Sequence, residues 1–211
     1  MPLIRKGAEA DLYLEDWYGL KIIRKVRKTK AYRLPSLDFE IRRGRTSHEA
    51  QIMHDAKLIG VPTPTIYLVD MGATTIFMEY IEGIRVKEAL NDLSSSERES
   101  LCKVLGHLIG RLHRKGIIHG DLTTSNMIVS ENGKVSLIDF GLSEYSEELE
   151  KRGVDLLLMK RALQSTHYAY ARECFNAVID GYAREMGSEV AREVVERVEE
   201  IEKRGRYAIE R

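Results

Sequence analysis

The spacing of apolar and polar residues changes period several times along the chain, and each change marks an element. From Leu3 to Val26 the apolar residues come in short runs, Leu12, Leu14 and Leu20-Lys21-Ile22-Ile23, with a turn at Asp16-Trp17-Tyr18-Gly19. This pattern predicts three strands. Between the first two lies Gly7-Ala8-Glu9-Ala10, which on its own reads as a plain hairpin. Thr46 and Glu49 form a capping-box pattern, and Ala50, Met53 and Ala56 share one stripe behind it, so a helix is expected from Thr46 through Ile59. Pro62 and Pro64 interrupt the chain before strands at 65–69 and 74–80. The segment Met78-Glu79-Tyr80-Ile81-Glu82-Gly83 then carries an apolar strand into a glycine.

Beyond this point the period is helical. Ser94 and Glu97 cap a helix that runs to Lys115, with Leu101, Val104, Leu105, Leu108, Ile109 and Leu112 on its buried face. His107 and His113 lie beside that face and read as packing residues. Strands at 127–129 and 135–138 flank Asn132-Gly133, a hairpin turn. After Gly141 the chain is acidic and has room for about three helices of ordinary length. The last is expected over Val190 to Ile201, followed by the basic tail Lys203-Arg204-Gly205-Arg206. There is no internal repeat and no low-complexity segment.

Composition changes this picture little. At 211 residues the chain suits one domain or two small lobes sharing a cleft. Lys plus Arg, 33, equals Asp plus Glu, 33, so net charge selects no partner. No apolar run is long enough to cross a bilayer, and the first residues lack the apolar core of a secretory signal. Cys102 and Cys174 form no C-x-x-C pair, which fits a reduced cytoplasmic setting with both thiols in the core. Locally, residues 21–45 hold ten Lys and Arg against only Asp38 and Glu40. Such a cluster fits a polyanion such as tRNA, or an acidic partner. A solvated basic face fits it equally well.

The candidate chemistry lies in His119-Gly120-Asp121-Leu122-Thr123-Thr124-Ser125-Asn126 and in Ile138-Asp139-Phe140-Gly141. These place three oxygen-bearing side chains, Asp121, Asn126 and Asp139, on two loops joined by the hairpin. Phosphoryl transfer needs an acceptor hydroxyl oriented by a carboxylate, and magnesium bridging the phosphates. Magnesium takes hard oxygen ligands from one or two side chains and leaves its other positions to water and phosphate. Asp121 can orient and deprotonate the acceptor, and Asn126 and Asp139 can ligate the metal. The pattern matches the protein-kinase signature H-R-D-L-x-x-x-N followed by D-F-G, with Gly120 in place of the arginine. A phosphate-pairing lysine is expected on the third strand, where Lys21 and Lys25 compete as residues on one face.

The order Gly7-Ala8-Glu9-Ala10, Lys25, Lys30-Ala31-Tyr32-Arg33-Leu34-Pro35, Glu49-Ala50, His119-Gly120-Asp121 and Asp139-Phe140-Gly141 resembles one family. It is the small atypical kinase of the KEOPS (EKC) tRNA-modification complex, the PRPK or bud-site-selection kinase family, and the resemblance covers nearly the whole chain. The family's spacing from Lys30 implies that Lys25, not Lys21, is the nucleotide lysine. It also implies that Glu49 is the helix glutamate that holds this lysine, despite its capping-box look. By the same resemblance Gly7, Ala8, Glu9 and Ala10 cover the nucleotide, and Glu79 and Ile81 flank the base. The tail past Arg206 departs from the family pattern.

The fold expected is α+β and two-lobed, protein-kinase-like, with an antiparallel N-terminal sheet and helix at 1–80, a hinge at 81–84 and a reduced, mainly helical lobe at 85–211. The implied activity is magnesium-dependent use of ATP, as a serine/threonine kinase or an ATPase, in threonylcarbamoyladenosine formation in tRNA. The implied partners are the carbamoyl-transferase subunit and a small regulatory subunit of the complex. Gly120 and the lack of an A-P-E segment point to weak selection of protein substrates by this chain alone. Two rival readings are a small-molecule phosphotransferase of the aminoglycoside or choline kinase type and a non-catalytic nucleotide-binding scaffold for tRNA or a partner.

Overall fold

The computed structural model describes the backbone of residues 3–209 and the side chains of residues 3–204. Strands β1 (Leu3–Lys6), β2 (Ala10–Trp17), β3 (Leu20–Arg27), β4 (Ile66–Asp70) and β5 (Thr75–Glu79) form an antiparallel sheet in the order β1-β2-β3-β5-β4. The β2–β3 hairpin closes on Tyr18 and Gly19, both at positive φ, with Trp17 paired to Leu20. A two-residue loop of that handedness matches the twist of the strands it joins. It also sets the register that buries Ile22 on one face of β3 and Lys25 on the other.

Helix α1 (Pro35–Leu58) begins well before the expected start at Thr46. Pro35 stands in its first turn, where a missing N–H costs nothing and the ring presets φ. Thr46 is mid-helix, and its Oγ1 donates to the carbonyl of Arg42 at 2.8 Å. The Thr46–Glu49 capping pattern is therefore incidental, and the Glu49 carboxylate points sideways into the lobe. The early turns escaped the pattern because the residues they bury, Asp38 and Thr46, are polar.

The second lobe is built on helices α2 (Val86–Asp92), α3 (Ser95–Arg114), α4 (Leu149–Thr166), α5 (Ala171–Met186) and α6 (Ser188–Ile209). The Ser94–Glu97 capping box opens α3 as the pattern predicts. Helix α6 starts near the expected point and runs past Ile201, and the side chains of the tail from Gly205 onward lie outside the described residues. Short strands β6 (Ile84–Arg85), β8 (Met127–Val129) and β9 (Val135–Leu137) make one small sheet, and β7 (Ile117–Ile118) with β10 (Glu144–Tyr145) make another. Helices α3 and α5 cross with their backbones touching. A Cβ at Gly106 would meet Val178 O at 1.9 Å, and one at Gly181 would meet Lys103 O at 2.0 Å.

One apolar core joins the two lobes, from Ile52 and Met53 through Leu105 and Ile109 to Val194 and Val198. Cys102 and Cys174 are free and buried in it. His113 is fully buried, but His107 is not a packing residue: it is half-exposed and lies 3.0 Å from Glu185. Among the described residues no helix is long and apolar enough to cross a membrane.

Candidate active site

The loop at His119 is held from beneath by α4. Asp155, completely buried, accepts the N–H of His119 at 2.7 Å and that of Gly120 at 2.8 Å, and its Oδ2 lies 3.2 Å from His113 Nε2. Burial alone would push the Asp155 carboxyl up, but the His113 contact, with His119 behind it, outweighs burial and holds it down. Burial lowers the His119 imidazole against the pull of Asp155, so His119 stays neutral and packs on Phe140 at 4.7 Å between ring centroids. Ser143 Oγ donates to the His119 carbonyl at 2.8 Å, tying the segment after Gly141 to the same loop. Pattern reading passed over Asp155. Its only signal is a carboxylate set directly before the apolar run Leu156-Leu157-Leu158-Met159.

Gly120 is fixed by geometry. Its φ is +78°, and a Cβ there would stand 2.2 Å from the Leu142 carbonyl oxygen. Gly120→Ala is therefore expected to destabilise the chain by about 2–5 kcal/mol, combining left-handed backbone strain with overpacking. Thermal unfolding would measure this, and an unchanged melting temperature would refute it. An arginine cannot be restored here without moving the Leu142 backbone.

Beyond Gly120 the loop carries Asp121 and Asn126. Asn126 Nδ2 donates to Asp121 Oδ2 at 2.7 Å and to the Asp121 carbonyl at 3.0 Å. This commits the amide N–H groups and leaves Asn126 Oδ1 as an acceptor. The Ile138 N–H donates to the Asn126 carbonyl at 2.9 Å, which brings Asn126 beside Asp139. Asp139 has φ +64°, and its Oδ1 accepts from Lys25 Nζ at 2.6 Å. Lys25 Nζ also donates to Glu49 Oε1 at 2.6 Å, and Arg27 donates to Glu49 Oε2 at 2.5 Å.

Two cations and two carboxylates thus balance at the lobe junction, with Lys25, Arg27 and Glu49 buried and Asp139 partly so. Burial works against the Lys25 ammonium, but the charges of Glu49 and Asp139 prevail and raise its pKa. Burial likewise opposes ionisation of Asp139, and the Lys25 charge overcomes it and lowers that pKa. Sequence reasoning missed Arg27, although it follows Lys25 by two residues and so shares its face of the strand. Lys21 goes elsewhere: its side chain is 63% exposed and pairs with Glu82 at 2.6 Å.

The cleft has a polar and an apolar end. The polar end, a cavity of about 260 Å³, is framed by the turn Gly7 to Ala10 and by Lys25, Arg27, Arg45, Asp121 and Asp139. Gly7 N–H donates to Ala10 O at 3.1 Å, closing the turn. Glu9 is drawn outward to Arg45 at 2.8 Å and Lys30 at 3.3 Å, and Lys30 Nζ also donates to Ala8 O at 2.7 Å. The apolar end is walled by Leu12, Ile23, Met78, Ile81, Ile128 and Ile138, with Asn126 and Asp139 where it meets the polar end. There Glu79 and Tyr80 have their N–H groups committed, to Thr65 O and Lys21 O. The Glu79 carboxylate is tied to the N–H and hydroxyl of Thr65. Ile81 N–H makes no hydrogen bond to a described residue.

The basic run 21–45 proves to be mostly internal. Nine of its ten cations pair with acids, among them Glu9, Asp11, Glu15, Glu49 and Glu82 from outside the run. Arg43 is the exception among the described residues and is exposed. The apparent local excess of charge is largely neutralised by the fold.

An antiparallel sheet over a helical lobe, with a buried Lys–Glu pair reaching an aspartate at the junction, defines a kinase-like protein. The ABC1 atypical kinase-like domain model matches residues 19–170. The KEOPS complex subunit Bud32 of Pyrococcus abyssi is 48% identical over 213 residues, covering 98% of this chain and 96% of that protein. The EKC/KEOPS complex subunit bud32 of Dictyostelium discoideum is 41% identical, over 97% of this chain and 82% of its own. The chain belongs to the Bud32 family of atypical kinase-like proteins. A probable bifunctional tRNA threonylcarbamoyladenosine biosynthesis protein of Methanothermobacter thermautotrophicus is 44% identical over 97% of this chain, which spans 36% of that longer protein.

Proposed function

We propose that this chain is a magnesium-dependent, ATP-using subunit of a KEOPS-type assembly that serves threonylcarbamoyladenosine formation in tRNA. The observation that carries the reading is the Lys25–Glu49 pair set against Asp139 in one cavity with Asp121. ATP would lie with its base at the apolar end, near the backbone of Glu79 and the free N–H of Ile81, and its phosphates under Gly7 to Ala10. Lys25, already shared between Glu49 and Asp139, would turn to a phosphate oxygen while Arg27 keeps Glu49 neutralised. Asn126 Oδ1 and the ionised Asp139 are the hard oxygen donors that suit magnesium. Bound there, the metal supplies charge neutralisation along the phosphates. Asp121 would orient a serine hydroxyl or a water and take its proton as the new P–O bond forms and ADP leaves.

The division into 1–80, 81–84 and 85–211 belongs to this proposal, as does a cytoplasmic site of action, where tRNA is modified. The bifunctional methanogen relative carries this domain together with a longer stretch of other chain. That linkage supports a partner with the carbamoyl-transferase activity, joined by a small regulatory subunit. Ion pairing within 21–45 leaves little free charge for tRNA, so tRNA is expected to reach the chain mainly through the partner.

Phosphate release from ATP, measured for the chain alone and with partner and tRNA, tests the reading. Slow release that rises in the assembly is expected. Preferred transfer to an aminoglycoside or choline would overturn it in favour of a small-molecule kinase, and no release in any mixture would leave a scaffold. In the same series, tRNA binding by the isolated chain should show a shallow salt slope, on the order of one or two units. A slope beyond about four units would reveal a phosphate-binding face and refute the partner route.

A further inference from the structure

Arg5 stands on β1 at the meeting point of the two halves of the cleft, and its side chain lines both. It is exposed and makes no ion pair or side-chain hydrogen bond to a described residue. The other cations around the polar end are committed. Lys25 is held by Glu49 and Asp139, Arg27 by Glu49, and Arg45 and Lys30 by Glu9. A phosphate that recruits any of these must share it with a carboxylate.

The turn itself supplies amides but no positive side chain. A glycine-rich loop covers phosphates with backbone amides. Here a single glycine is present, and its N–H is already bonded to Ala10 O. We propose that Arg5 is a phosphate-binding residue of the nucleotide site, its guanidinium adding an uncommitted positive charge that the turn and the carboxylate-bound cations do not supply. A guanidinium presents a planar fork that fits phosphate oxygens in pairs. Its place between the apolar and polar ends directs it to the phosphates nearest the ribose rather than to the terminal one. This inference rests on the reading that ATP occupies the cleft.

Calorimetric titration of the full chain with ADP and with adenosine, for the unaltered protein, Arg5→Met and Arg5→Lys, provides the test. Arg5 is exposed, so Arg5→Met should leave the melting temperature unchanged. It should weaken ADP by roughly 10- to 100-fold, the size of a charged hydrogen-bonded contact, and leave adenosine within about twofold. Arg5→Lys should recover part of the loss. ADP binding unaffected by Arg5→Met, or an equal loss for adenosine, would overturn this inference alone. Failure of the unaltered chain to bind ADP would overturn it together with the ATP reading.

Discussion

Asp139→Ala is expected to abolish both magnesium-dependent nucleotide binding and turnover, whereas Asp121→Ala abolishes turnover and leaves binding largely intact. The two carboxylates line the same cavity but hold different partners. Asp139 shares Lys25 with Glu49 and lines the cleft together with Asn126, so removing it unbalances the charges at the junction and takes away a proposed metal ligand. Among the described residues the Asp121 carboxylate bonds only with Asn126, and Asp121 lines the polar end, where an acceptor would sit. Loss of a positioned base costs about 10²- to 10⁴-fold in rate, enough to bring a slow ATPase to background.

The pH dependence of Asp139 follows from its lowered pKa. The folded protein keeps this group ionised to a pH below its ordinary range, and the stability gained from pairing with Lys25 is lost only as pH falls through that depressed value. Nucleotide titration with and without magnesium, beside phosphate release, separates the two variants. Parent-like binding and turnover in both would remove the kinase reading altogether.

Lys25→Ala should cost at least about 10²-fold in turnover, the scale of one electrostatic contact made in a water-poor site, while Lys21→Ala stays within about twofold of the parent. The reason is orientation. Lys25 is buried and holds Glu49 and Asp139 at 2.6 Å each; Lys21 sits four residues earlier, exposed, and reaches only Glu82. Arg27 still covers Glu49 in Lys25→Ala, so the protein should fold and the loss should show in kinetics rather than in yield. Steady-state ATP turnover on both variants decides it. A reversed ranking would mean that Lys21 serves the nucleotide and that the inward face of β3 has another role.

Much of the architecture was legible from local pattern. The strands over 3–27, the Ser94 cap and the Asn132-Gly133 hairpin each depend on a few neighbouring residues whose turn and capping chemistry is self-contained. The two catalytic-type motifs were legible for the same reason, since each is a short run around a loop. The family was legible in their order. The tertiary structure decided the rest. It set the start of α1, because the early turns bury Asp38 and Thr46 rather than an apolar stripe. It chose between Lys21 and Lys25 on the structural side, because burial and pairing depend on a helix and a loop distant in sequence. It brought in Asp155 and Arg27, whose partners lie at separations of 35 and 22 residues. It also cancelled the basic run, since acids from β2, α1 and the segment after β5 fold onto it. Local periodicity reports what a residue's neighbours are; which charges end up paired, and which, like Arg5 and Arg43, find no acid among the described residues, follows from contacts that only the folded chain makes.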